Sequence, residues 1–163
     1  MRTKQIALFG LLTAAAMLLS WLESLLPPFL AAPGIKLGVA NIAVVFALYR
    51  LGPKGAAAVS FVRVALMNLL FGNAFALLYS AAGAVLALGV MLLLRRTDRF
   101  SPTGVSIAGG VAHNVGQIAV AAAVAETPAL LLYLPVLLAA GTVAGIVIGL
   151  LAGILIRRIP ERF

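Results

Sequence analysis

Long apolar runs, cut apart by short clusters of charge, glycine and proline, constrain this chain more than any other feature. Six of them can be delimited, at Gln5–Leu26, Leu37–Tyr49, Gly55–Phe71, Asn73–Leu94, Gly104–Ala125 and Ala129–Ile156. Crossing the hydrocarbon core takes roughly 20 helical residues, so four of the runs are comfortably long. The second and third are short, and must rely on snorkelling ends or on burial among the other helices. The runs are continuously apolar rather than alternating, which predicts helices in preference to a lipid-facing barrel. With 64% hydrophobic residues and a mean hydropathy of +1.18, the expected fold is an all-α integral membrane bundle of six transmembrane helices. One transmembrane domain is expected over residues 1–163, with no internal repeat. The first run is too long for a signal-peptide core and lacks a convincing cleavage site, so it is expected to remain as a span.

Charge placement predicts orientation. An inside N-terminus puts ten of the twelve Lys and Arg residues, from Arg2 and Lys4 through Arg50, Lys54 and Arg95 to Arg162, on the cytoplasmic side. Lys36 alone falls outside and Arg63 is embedded. That bias predicts both termini in the cytoplasm of a bacterial inner membrane protein. The net charge of +8 is therefore a topology signal, and nucleic acid is not an expected partner.

Arg63 is the exception that points to function. A permanent charge in an apolar run is costly unless it meets a partner, a ligand or a watery cavity. It lies nine positions beyond Lys54, roughly 13 Å in and near the midplane. His113 is eleven positions beyond Pro102, at a similar depth. Asn68, Asn114 and Gln117 lie further toward the outer face, Glu23 ends the first run, and Lys36 and Asn41 open the second. Tyr79 sits about two turns into the fourth. These nine residues share the outer half of the membrane, while the inner half is small or aliphatic. Such asymmetry predicts a cavity open to the outside and closed toward the cytoplasm, rather than a channel.

Each residue also has a purely structural reading. Arg63 either binds an anion or pairs with Glu23 or backbone carbonyls. His113 and Gln117 share a helix face and either contact ligand or hydrogen-bond another helix. Lys36 either contacts ligand or snorkels to the interface. Tyr79 also suits an interfacial aromatic belt. Buried amides such as Asn41 and Asn68 demand partners of some kind.

Small residues predict packing faces. Gly141, Gly145, Gly149 and Gly153 recur at every fourth position of the last run and suit packing within the bundle. Ala7, Gly10 and Ala14 on the first run suit either that or docking to another membrane protein.

Catalytic machinery is missing from the pattern. There is no P-loop or glycine-rich nucleotide fingerprint. Asp98 is the one aspartate, so clustered carboxylates for Mg²⁺-diphosphate chemistry are excluded. One His and no Cys cannot build a closed metal site. Neither a cofactor nor an enzymatic activity is expected.

Residues 22–38 (LESLLPPFLAAPGIKLG), the Val39-Ala-Asn41 that follows, the Leu51-Gly-Pro-Lys54 turn and the stretch from Val105 to Gln117 (VSIAGGVAHNVGQ) resemble the Gx transporter family. Its members often carry the description heptaprenyl diphosphate synthase component I. That family is similar to the substrate-binding S components of energy-coupling-factor (ECF) transporters, which have six helices, an outward pocket and a small-residue docking surface on the first helix. The resemblance implies a membrane subunit that captures a small ligand, anionic by the presence of Arg63, and works with an ECF-type transmembrane coupling protein and ATPases. Gly10 and Ala14 would take the docking role, although the usual alanine pair is only approximated. It also implies an alternative: a noncatalytic partner of heptaprenyl diphosphate synthase, or of quinone- or flavin-linked electron-transfer machinery. A lone secondary carrier is disfavoured because no acidic residue lies mid-membrane.

Overall fold

The computed structural model describes residues 3–25 and 38–159. Its described residues are helical throughout their regular structure: α1 (Thr3–Ser24), α2 (Asn41–Arg50), α3 (Gly52–Phe71), α4 (Ala74–Arg96), α5 (Pro102–Val124) and α6 (Leu134–Arg158), with a 3₁₀ segment at Pro128–Tyr133. Five of these stretches are long and apolar enough to cross a membrane, and α2 is not. The long helices bury only 17–33% of their apolar windows. Phe61, Leu69, Val85 and Leu132 are among the large side chains left exposed, a surface that suits lipid rather than water.

The second segment is shorter than the sequence pattern predicts. Gly38 adopts φ +71°, a left-handed conformation that ends any helix crossing it, and α2 begins only at Asn41. Its ten residues rise about 15 Å, half the hydrocarbon thickness. Burial makes up for length: Ala43 through Leu48 are all buried, against α1, α3 and α6. Of the two supports anticipated for a short helix, this one is met by the bundle. Gly52, at φ +77°, then reverses the chain, and Pro53 opens α3 in the first-turn position where no N–H is missed.

The remaining ends are set locally. Asn73 caps α4 by accepting from the Ala76 N–H at 2.8 Å, and Ser101 caps α5 by accepting from the Gly104 N–H at 3.2 Å. The last segment, expected as one helix from Ala129, starts with a 3₁₀ stretch because Pro135 fixes the first α-helical turn only after Leu134.

The last helix packs as its glycines predict. A methyl group on Gly145 would sit 2.5 Å from the Ile107 Cα, and one on Gly149 2.6 Å from the Thr103 Cα. Gly110 and Gly141 face each other with the same closeness, so α5 and α6 meet backbone to backbone. Gly153 departs from the pattern, with nothing within 4 Å of an added Cβ.

Basic residues gather at one end of the bundle, in the last turns of α2, α4 and α6. There they also hold helices together. Arg50 donates to the Ile156 carbonyl of α6 and the Ile159 carbonyl just beyond it, and Arg95 donates to the Leu48 carbonyl of α2 while lying 5.0 Å from the Tyr49 ring centroid. Cations on unpaired C-terminal carbonyls offset both the lost hydrogen bonds and the helix dipole.

Candidate ligand-binding site

A cavity of about 380 Å³ lies at the end of the bundle away from the arginines. Its walls come from the C-terminal turns of α1 and α3, the start of α2, the N-terminal turns of α4 and the middle of α5. Seven of the nine residues singled out above line it. Arg63 forms part of the wall, with Asn41, Asn68 and Tyr79 around it. Glu23, His113 and Gln117 complete the seven.

Arg63 is 92% buried by its 8% exposure, and its Nε has no hydrogen-bond partner. Glu23 attracts it electrostatically across the cavity. The Glu23 carboxylate has a nearer task, since its Oε1 accepts from the Gly38 N–H at 2.5 Å and so ties the end of α1 to the start of α2. The guanidinium is thus a buried donor fork at a cavity that it shares with the Glu23 carboxylate, with its Nε still open to an acceptor such as an anion.

The amides divide by role. Asn68 donates to the Val64 carbonyl one turn back at 2.8 Å, which fixes its side chain along α3. Gln117 is buried and lines the cavity on the same face as His113. That face approaches α4 closely because residue 83 is glycine: an added Cβ would lie 2.7 Å from the Gln117 Cγ and 2.8 Å from the His113 carbonyl oxygen. Asn114 turns the other way. It donates to the Leu137 carbonyl of α6 at 2.7 Å and borders a separate void of about 20 Å³, alongside Asn41 and His113. Replacing Asn114 by Leu is expected to cost about 1 kcal/mol of stability by thermal unfolding. Ligand affinity is expected to stay unchanged in the same preparation.

Lys36 lies outside the described residues. Ala7, Gly10 and Ala14 are all exposed on α1, and nothing comes within 4 Å of a Cβ added at Gly10. They are not used for packing among the described residues.

Ser80 lines the cavity and escaped notice in the sequence. It is buried and its Oγ has no partner. A helical hydroxyl normally bonds the carbonyl four residues back, as Thr13 does to Phe9 and Thr142 to Leu138, both at 2.8 Å. Ser80 does not, which leaves an oriented hydroxyl at the cavity wall. Its position next to Tyr79 was the available signal.

No curated protein and no solved structure matches the chain. A family model does, over residues 12–155, and its description is heptaprenyl diphosphate synthase component I. This range takes in all six helices at least in part and every described cavity residue. The chain therefore belongs to the heptaprenyl diphosphate synthase component I family, whose members form the Gx transporter family that the motifs resemble.

Proposed function

We propose that this protein is the substrate-capturing subunit of a bacterial ECF-type importer, binding a small anionic ligand from outside the cytoplasmic membrane. One observation carries the reading: Arg63 is buried, its Nε is unpartnered, and it lines a cavity whose other walls supply Asn41, Asn68, His113 and Gln117. A charge-assisted donor among amides and hydroxyls, with Glu23 as the carboxylate in the lining, is suited to a carboxylate or a phosphate held at the guanidinium, with the amides setting specificity. In this reading both termini lie inside, α2 is embedded among the five longer spans, and the cavity opens at the outer face because the arginine-rich end is cytoplasmic. Lys36 is assigned to the ligand in this reading on its position in the sequence alone. Ala7, Gly10 and Ala14 present the surface on which a transmembrane coupling protein docks, and that protein brings the ATPases. The chain itself is noncatalytic.

The family description favours a second reading, a noncatalytic membrane partner of heptaprenyl diphosphate synthase, of which a partner for quinone- or flavin-linked electron-transfer machinery is a variant. Native mass spectrometry of the purified protein separates the two. An anion retained by the wild type and lost from Arg63→Ala is the expected outcome for a capture subunit. A retained protein partner with no small molecule, unchanged in Arg63→Ala, would establish the partner reading instead. Gly10→Leu and Ala14→Leu are expected to abolish copurification with an ATPase module. Copurification unaffected by either would remove α1 from the docking surface.

A further inference from the structure

The large cavity is not polar all round. Along α3, Val64, Met67 and Phe71 follow Arg63 at helical spacing and add an apolar side to the lining that Gln117 of α5 shares. Val64 also belongs to a second cavity, about 260 Å³, cut into the seam between α3 and α4 on the lipid-facing side. That groove is lined almost wholly by carbon. Ala57 and Ala65 on α3 oppose Ala81 and Ala84 on α4, with the exposed Phe61 as its outer lip. The alanines are the reason it exists, since longer side chains at these positions would close the seam. Consistent with this, α3 and α4 touch far less than α4 and α5 do. From Ala57 to Ala65 the groove runs roughly 12 Å along the helix.

Val64, the residue directly after Arg63, is therefore common to the cavity that holds the buried cationic donor and to the apolar slot. We infer that the ligand of this site is a single-chain anionic amphiphile, with its headgroup at Arg63 and its apolar chain passing Val64 into the α3–α4 groove. The inference rests on the capture reading above and specifies its substrate class. Charge complementarity selects the headgroup, and continuity across Val64 selects a chain attached to it. An inorganic or wholly polar anion would leave the Val64–Met67–Phe71 wall and the groove beside it without a role.

Equilibrium dialysis of the full-length protein in nanodiscs tests this, with radiolabelled inorganic phosphate, butyl phosphate and octyl phosphate as probes and empty nanodiscs as blanks. Octyl phosphate is expected to bind about tenfold or more tightly than butyl phosphate, since four further methylenes enter an apolar groove. Ala84→Phe, or Ala57→Phe from the opposite wall, is expected to bring that ratio close to one and leave inorganic phosphate binding unchanged. Equal binding of the two alkyl phosphates to the wild type would overturn the inference while leaving anion capture in place. So would a chain preference that survives both fillings. Displacement of octyl phosphate by phosphatidate at equal concentration would assign the groove to bulk lipid, also overturning it. Binding of none of the three phosphates would remove anion capture, and the amphiphile with it.

Discussion

Replacing Arg63 with Met is expected to stabilise the ligand-free protein and to abolish anion binding, two effects of opposite benefit from one side chain. The guanidinium is 8% exposed, its Nε is unpartnered, and it sits in a helix whose neighbours are apolar. A charge so placed carries a desolvation penalty that nothing in the resting molecule fully repays. Methionine keeps the stem volume and removes that penalty, for an expected gain of about 1–2 kcal/mol. In a chain of this size the gain corresponds to a rise in unfolding temperature of about 3–6 °C. Binding moves the other way, because two charge-assisted hydrogen bonds of about 1.5–3 kcal/mol each amount to a loss of about 100-fold or more. Arg63→Lys retains the charge and loses the planar fork, so its affinity should fall between the two. The sign of the temperature shift is decisive. Were Arg63 a structural link between helices, its removal would strand a buried partner and lower stability by about 3–5 kcal/mol. Differential scanning fluorimetry in detergent, with and without phosphate, reads both effects at once.

Arg63 was legible from the sequence because a charge inside an apolar run has few physical explanations, and the cavity found beside it is one of them. The grouping of Asn41, Asn68, Tyr79 and His113 with Arg63 was legible for the same reason, once the basic residues had indicated which helix ends lie together. What a depth scale cannot supply is direction around a helix axis. Asn114 and Gln117 are three residues apart and both polar, yet Asn114 bonds to α6 while Gln117 borders the cavity. Arg50 and Arg95 illustrate a different gap. Their value as topology markers was plain, but their bonds to carbonyls of α6 and α2 depend on which helix ends are neighbours. The short α2 was visible as a deficit of length. The break at Gly38 was not, because nothing in a lone glycine announces a positive φ. Ser80 was overlooked since a helical serine usually bonds its own backbone.

Glycines carry the second large prediction, because here the helix and the site respond to different ones. Gly83→Ala and Gly145→Ala are both expected to destabilise the bundle by about 1–3 kcal/mol. In an unhindered helix the same change gains up to about 1 kcal/mol from propensity. Gly153 and Gly89, with nothing within 4 Å of an added Cβ, are the controls that should show that gain. At positions 83 and 145 the obstruction includes backbone, the His113 carbonyl at 2.8 Å and the Ile107 Cα at 2.5 Å, so relief requires a helix to move. Which helix faces move decides the effect on binding. Gly83 lies against His113 and Gln117, and a methyl group there would also come within 3.0 Å of the His113 Cε1. Pushing α5 outward at that level displaces two cavity-lining side chains, for an expected affinity loss of about tenfold, or about 1.4 kcal/mol. Gly145 presses instead on Ile107 and the Ser106 carbonyl, neither of which lines the large cavity. Its variant should unfold earlier and bind phosphate as the wild type does. Equal losses of affinity in the two variants would mean that binding follows overall stability, and that the His113–Gln117 face has no part in holding the ligand.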